Sequence, residues 1–256
     1  DNASSDNSVA RITAWLATKK VSRQVIEEAA LLKIDRALPV KAVIIRNQKN
    51  YGYAGGNNRG LRYGASVSKE GYAWIINNDV VVDPEAVATL VVAAESRPRV
   101  GLFGSTILDY SNREIIQTQG GDRHLAIFGV SWGLGAGRRL EDALSKEAVE
   151  RRLSYIAGAA VFVRLETVRR VGPMDERYFL YFEELDWAVR ARRQGIGLGY
   201  VPESRAYHKG GSTVGSSVRA KRKSFLADYY GVKNRLVATA RLFPWALPTV
   251  YLGLVV

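Results

Sequence analysis

Two adjacent carboxylates, Glu183 and Glu184, follow the aromatic run Tyr178-Phe-Leu-Tyr-Phe182 and open a stretch with helical spacing. Leu185, Ala188 and Val189 recur at helical intervals, Asp186 and Arg190 make an i,i+4 pair, and Gly195 stops the helix after Arg192-Arg193-Gln194. The pair therefore stands at the positive end of a helix dipole, beside aromatic surface. A carboxylate placed there can act as a general base, with a pKa set by burial against dipole. Two ordinary first-turn glutamates would have the same pattern. Asp79 ends the segment Asn77-Asn78-Asp79 just beyond a strand, and His208 follows another strand. A carboxylate and an imidazole on strand-end loops can share a divalent ion with diphosphate oxygens. Taken singly they are equally a capping aspartate and a surface histidine. Gly55-Gly56-Asn57-Asn58-Arg59 can present N–H groups and a cation to an anion, or simply turn the chain.

These residues need a scaffold, and the periodicity supplies one. A polar loop, residues 1–8, caps a helix whose apolar stripe is Val9, Ile12 and Leu16. Residues 40–45 read as a buried strand, and a helix beginning within the loop 46–60 runs to about Ser68. Residues 72–76 form the strand that delivers Asp79, after which Asp83-Pro84 starts a helix with an N-cap and a proline. Val100-Gly-Leu-Phe103 is the next strand. From 109 to 152 the periodicity is poor and glycines recur, which predicts a loop-rich insertion. Order returns with a strand in 155–163, a helix over 165–171, the carboxylate helix, and the strand 198–201 that leads to His208. Strands alternating with helices, and strands apolar almost throughout, predict an α/β domain on a mostly parallel sheet. Residues 209–224 are Gly/Ser-rich and basic and read as a flexible loop. Residues 225–256 read as a separate helical segment.

The chain has 256 residues, 47% hydrophobic and 24% charged, enough for one domain with a real core. It has no cysteine, which excludes disulfides and thiol catalysis and fits a reducing, cytoplasmic setting. A net charge of +12 attracts polyanions. The basic clusters at 169–170, 190–193 and 219–223 carry no base-reading motif, so nucleotide diphosphates or anionic lipid headgroups are expected rather than nucleic acid. The apolar run 243–256 is too short, and too interrupted by Pro244 and Pro248, to span a bilayer. The sequence opens without Met, in a loop that reads as leaving a strand, so a first strand is expected upstream of Asp1.

Taken together, five stretches resemble the family 2 glycosyltransferases, in particular their bacterial rhamnosyltransferase-like branch. They are Asp1-Asn2-Ala3-Ser4, Asn50-Tyr-Gly-Tyr-Ala-Gly-Gly-Asn-Asn58, Ile76-Asn77-Asn78-Asp79, Gly172-Pro-Met-Asp-Glu-Arg-Tyr-Phe-Leu-Tyr-Phe-Glu-Glu-Leu-Asp186, and Val201-Pro202-Glu203 through His208-Lys-Gly-Gly-Ser212. The resemblance implies a GT-A fold over residues 1–224 with a nucleotide-sugar site at the strand ends. Asp1, Asn2, Ser4, Gly56, Asn57, Asn58, Arg59 and Asn78 would bind the nucleotide. Asp79 and His208 would hold Mg²⁺ or Mn²⁺ against the diphosphate, assisted by Lys209 and Arg219. Glu184 would be the general base, with Glu183 assisting or positioning, and transfer would invert the anomeric carbon in one displacement. dTDP-rhamnose is the first-choice donor and a UDP-hexose the second. The acceptor would be a saccharide or a lipid-linked saccharide in cell-surface polysaccharide synthesis, walled by the 109–152 region with Trp132 and Arg138. Asn77 and Glu184 stand where the family has aspartates, which leaves a non-catalytic nucleotide- or sugar-binding relative as the alternative. The segment 225–256 is expected either to lie on the inner face of the cytoplasmic membrane, through Trp245, Leu247, Tyr251 and Leu252, or to pack on the domain's own core.

Overall fold

A computed structural model describes residues 1–210 and 225–255. Its elements in chain order are α1 (Ser8–Thr18), β1 (Arg23–Glu27), a 3₁₀ turn, β2 (Ala42–Arg46), α2 (Gly52–Val67), β3 (Tyr72–Ile76), β4 (Val80–Val82), α3 (Ala86–Glu95) and β5 (Val100–Asp109). Next come β6 (Ile116–Gln119), β7 (Gly121–Leu125), β8 (Val130–Gly133), α4 (Lys146–Arg152), β9 (Tyr155–Ile156), β10 (Ala160–Arg164) and α5 (Leu165–Val171). The chain continues through α6 (Glu183–Arg193), β11 (Gly197–His208), α7 (Phe225–Leu242), a 3₁₀ turn and α8 (Leu247–Val255).

β5 is the axis. It is buried along nearly its whole length because both faces are covered. Leu102, with Val161 and Val163 of β10, packs toward α2, α5 and α6, whereas Phe103, Phe162 and Val201 pack toward Leu90 and Ala94 of α3. The continuous apolar strands in the sequence record this two-sided cover and say nothing of strand direction. The expected mostly parallel sheet is accordingly corrected: in the order β3-β10-β5-β11-β4, only β5 with β11 is parallel. A parallel neighbour needs a crossover, which α5 and α6 provide on the way to β11. β5 instead turns directly into β6, with Asp109 Oδ1 accepting from the amides of Ser111 and Asn112 at 2.8 and 2.9 Å, and so short a link allows only antiparallel pairing.

The 109–152 region is also more ordered than its pattern suggests. β7 pairs with β8 and β9 in a small antiparallel sheet, and the glycines that blur the periodicity occupy its turns, Gly120 and Gly129 at φ +75° and +61°. β1 and β4 escape sequence reading because both are short and half exposed. α3 begins at Ala86, two residues beyond Pro84, with Asp83 accepting the amides of Glu85 and Ala86 in the preceding turn. α7 packs on the core: Ala238 and Leu242 join Tyr178 and Leu185 in one buried cluster. The basic loop expected at 209–224 lies, from residue 211 on, outside the described residues.

Candidate active site

The first loop, the end of β2, the start of α2 and the end of β3 enclose a cavity of about 480 Å³. Asp1, Asn2, Gly56, Asn57, Arg59 and Asn78 line it, as expected from sequence, together with Tyr53. Asn2 is the organiser. Its amide donates to Asn50 Oδ1 at 2.9 Å and the Gly52 carbonyl at 3.0 Å, and its Oδ1 accepts from Asn47 Nδ2 and the Tyr51 amide. Arg59 lies 3.8 Å from the centre of the Tyr51 ring and pairs with Glu176 at 2.7 Å, which fixes a cation on the rim. Two expected members fall elsewhere. Ser4 is exposed and donates its amide to Asp1 at 3.4 Å. Asn58 is buried, exchanges hydrogen bonds with the main chain of Met174 at 2.9 and 3.1 Å and donates to Glu176 at 3.0 Å, which makes it a brace between α2 and the loop before α6, with both of its N–H groups engaged.

At the floor's far edge, the antiparallel register of β4 with β11 pairs Val80 with His208 and so brings Asp79 beside the imidazole. His208 Nε2 lies 3.3 Å from Asp79 Oδ1. Gln117, on β6, sets the ring's tautomer. Its Nε2 donates to the His208 carbonyl at 2.9 Å, so its Oε1, 2.9 Å from Nδ1, must be the acceptor of an Nδ1–H. Nε2 then faces a carboxylate oxygen, a geometry suited to an imidazolium–carboxylate ion pair or to a cation held by both groups. The donor set, one imidazole nitrogen and one carboxylate, fits a divalent ion that takes its remaining ligands from phosphate and water. Among the described residues no group of three or more such side chains converges on one point. Lys209 donates its amide to the Asp79 carbonyl at 3.0 Å and holds its ammonium 4.8 Å from the Tyr110 ring centre, whereas Arg219 lies outside the described residues.

The carboxylate pair begins α6 after a contorted approach. Phe179, Tyr181 and Phe182 all take left-handed backbone angles, φ +63°, +68° and +75°, unusual for aromatic residues and worth on the order of 1–3 kcal/mol each. The loop is pinned from two sides. Tyr53 donates its amide to the Phe179 carbonyl at 2.7 Å, where the absence of a side chain on Gly52 permits the approach. Asn234 of α7, fully buried, donates to the carbonyls of Tyr178, Leu180 and Tyr181 at 2.6, 2.7 and 3.2 Å.

The two glutamates differ. Glu183 is 1% exposed, and its Oε2 has no hydrogen-bond partner among the described residues. Burial, with Glu184 beside it, holds its pKa well above the ordinary glutamate value. Glu184 is half-buried, and burial, assisted by Asp122, pushes it up to about 7. Its carboxylate abuts Gly158, where any Cβ would overlap Oε1. Tyr53, whose hydroxyl donates to the Gly158 carbonyl, connects the cavity wall to this carboxylate. Behind lies Asp122, its pKa raised by burial, with Tyr155 donating to it at 3.0 Å. Farther along the small sheet, Trp132 and Arg138 line a second cavity of about 520 Å³ with Arg123 and Arg152.

The sequence model of the glycosyltransferase-like family 2 matches residues 9–227. The chain belongs to this family. It is similar, at 30% identity over 199 residues, to the N-acetylglucosaminyl-diphospho-decaprenol L-rhamnosyltransferase of Mycobacterium tuberculosis, the match covering 70% of this chain and 64% of that protein. It is also similar, at 26% identity over 170 residues, to the rhamnosyltransferase WbbL of Escherichia coli, covering 62% of this chain and 61% of the relative. The chain thus spans less than two thirds of the length of either relative. Among solved structures it superposes on a mannosyltransferase of Pyrobaculum calidifontis, determined with GDP-mannose and Mn²⁺, with a TM-score of 0.50 at 15% identity, over 100% of this chain and 63% of that one. The fold is GT-A, as the motifs imply.

Several side chains that shape this family 2 site carried little signal in the sequence. Tyr53 lies inside a quoted motif but looks like a spacer. Gln117 and Asp122 come from the segment whose pattern reads as loop, and Tyr155 opens a strand in which it reads as one more apolar residue. Asn234 had a signal, being a polar residue on the stripe that it shares with Ala238 and Leu242 at helical spacing.

Proposed function

We propose that this chain is a metal-dependent, inverting glycosyltransferase that moves a sugar from a nucleotide-diphosphate donor onto a saccharide or lipid-linked saccharide acceptor in cell-surface polysaccharide synthesis. dTDP-rhamnose is the favoured donor, supported by two relatives that are rhamnosyltransferases, and a UDP-hexose is the second choice. The observation that carries this reading is Tyr53, which walls the nucleotide-sized cavity and is hydrogen-bonded to the residue on which Glu184 rests. Donor and base are thereby within one side chain of each other.

The reaction follows from those positions. Asp1, Asn57 and Arg59 hold the nucleotide, Asn2 fixes the loop beside them, and Arg59 offers positive charge to the diphosphate. Asp79 and His208 would hold Mg²⁺ or Mn²⁺, and the ion would supply positive charge to the departing diphosphate. Glu184, poised near neutrality, accepts the proton of the acceptor hydroxyl while that oxygen bonds to the anomeric carbon and the carbon–diphosphate bond breaks on the opposite face. Glu183, almost wholly buried beside it, assists or positions its neighbour. The exposed Trp245, Tyr251 and Leu252, with Leu247 beside them, support peripheral contact with the inner face of the cytoplasmic membrane. No helix among the described residues is long and apolar enough to cross one.

Calorimetric titration with dTDP and with UDP, each with and without Mn²⁺, tests the reading on wild type and Asp79→Ala. Metal-dependent binding of one nucleotide, weakened at least tenfold in the variant, is expected. Absence of binding to both would reject the donor site. Binding without transfer to any saccharide would favour the non-catalytic alternative that Asn77 suggests.

A further inference from the structure

Between β7, α6 and the end of α7 lies a cavity of about 460 Å³ that the proposed chemistry does not use. Its walls are apolar, with Leu185 and Val189 of α6 facing Phe243. Three guanidinium groups, Arg123, Arg192 and Arg193, border it, and no aspartate or glutamate does. Arg192 donates to the carbonyls of Leu153 and Ser154 and Arg193 to that of Leu242, contacts that orient the cations without neutralising them. None of the three makes an ion pair among the described residues. Desolvation, and then Arg123 nearby, draw the Arg192 pKa below the ordinary arginine value, so like charges have been gathered without compensation. His124 completes the floor, stacked on Phe243 with ring centres 5.5 Å apart, and burial pulls it down to about 4, which keeps it neutral near pH 7.

An apolar cavity bordered by unpaired arginines is complementary to an amphiphile with a phosphate head. Its position narrows the class. Leu185 follows the proposed base directly, and Arg192 lies eight residues beyond Glu184, about 12 Å along the helix at 1.5 Å per residue. That separation is about the reach of one sugar ring and a diphosphate. On the outer side, Thr249 of α8 donates to the Ile127 carbonyl and ties α8 to the β7–β8 turn, where Ile127, Phe128, Tyr251 and Leu252 are exposed. An apolar tail leaving the cavity has that shelf to lie on.

We propose that this cavity binds the diphosphate and first isoprene units of a lipid-linked saccharide acceptor, with Arg123, Arg192 and Arg193 on the phosphates and Leu185, Val189 and Phe243 on the tail. The assignment deepens the transferase reading and rests on it for the identity of the sugar, but binding tests it without turnover. Farnesyl diphosphate is titrated into the full chain with saturating dTDP and Mn²⁺ to block the donor site, alongside farnesol and inorganic diphosphate. Farnesyl diphosphate should bind at least tenfold more tightly than either fragment. The double variant Arg192→Ala/Arg193→Ala should lose at least tenfold of that affinity while its dTDP affinity stays unchanged. Arg123 braces no main-chain group among the described residues, so Arg123→Ala gives the same readout if the double variant unfolds. Equal binding of farnesol, of diphosphate, or by the variants overturns the proposal, as does full competition by phosphatidylglycerol vesicles. If the chain transfers sugar, the variants should raise KM for a lipid-diphosphate acceptor at least tenfold, with kcat and the KM for a water-soluble glycoside within about twofold. Farnesyl diphosphate binding by a chain that never transfers would keep the cavity and reject the transferase.

Discussion

Glu184 and Glu183 are neighbours in sequence with separate consequences. The proposed base acts only when ionised, so kcat/KM should rise with pH through one proton step near 7 and then level off. Glu184→Gln should lower the rate by about 10²–10⁴ while nucleotide binding persists. A profile flat from about pH 6 to about pH 8 would remove Glu184 from that role. Stability has its own pH dependence. Both carboxyls have folded-state values above those of the unfolded chain, so the folded protein retains protons that the unfolded chain has released. Stability is therefore full below the ordinary glutamate range and falls as pH rises from there through about 7. Glu183→Gln removes a buried carboxyl whose Oε2 has no hydrogen-bond partner among the described residues, so its Tm should exceed that of wild type at about pH 8 and match it at about pH 5. A variant less stable at both values would mean that Glu183 has a stabilising partner. The carboxylates themselves were legible in the sequence because an amphipathic helix with a glycine stop announces its own first turn. The environment that divides their roles was not, since Gly158, Tyr53 and Asp122 arrive from three distant segments.

At the scale of elements, α7 is a clamp. Asn234 satisfies three carbonyls of a loop whose backbone is held in disfavoured angles, and no other described side chain donates to them. Asn234→Ala should destabilise by at least about 2 kcal/mol, measured by denaturant unfolding, because buried acceptors lose their partner. It should also lower kcat more than it weakens nucleotide binding, because the loop aims Glu184. An effect on stability alone would show that the loop keeps its shape unaided. Sequence periodicity located β3, α5 and α6 closely, each being a simple apolar stripe or run. It failed on β6 to β8, whose short alternations are cut by turn glycines, and on strand direction, which is decided by connection length and crossover rather than by the residues of the strand. Asn58 shows the same limit: an asparagine in a motif can be a brace or a ligand, and only Met174, over a hundred residues away, distinguishes them.

For the whole molecule, the C-terminal helices divide into a structural and a peripheral part. α7 completes a core cluster, while Trp245, Tyr251 and Leu252 face outward. A chain ending at Leu242 should keep its dTDP affinity but float less with phosphatidylglycerol vesicles than the whole chain, whereas one ending before Phe225 should not fold. Equal flotation of the Leu242-terminated chain would exclude α8 from membrane contact. The net charge of +12 makes any such attachment weaken with salt. The sheet has a further property. β5 pairs with β10 through its first half and with β6 through its second, so the excursion from residue 110 to 159 leaves and re-enters at adjoining strands. In that register Ala159 falls opposite Thr106, so the two ends lie four residues apart along β5, roughly 13 Å at about 3.3 Å per residue. That excursion leaves and returns on one side of the central strand, yet it brings Gln117 to His208 and Asp122 and Gly158 to Glu184. Exchanging it would therefore alter the surroundings of both groups at once, so insert and reacting groups are bound to change together.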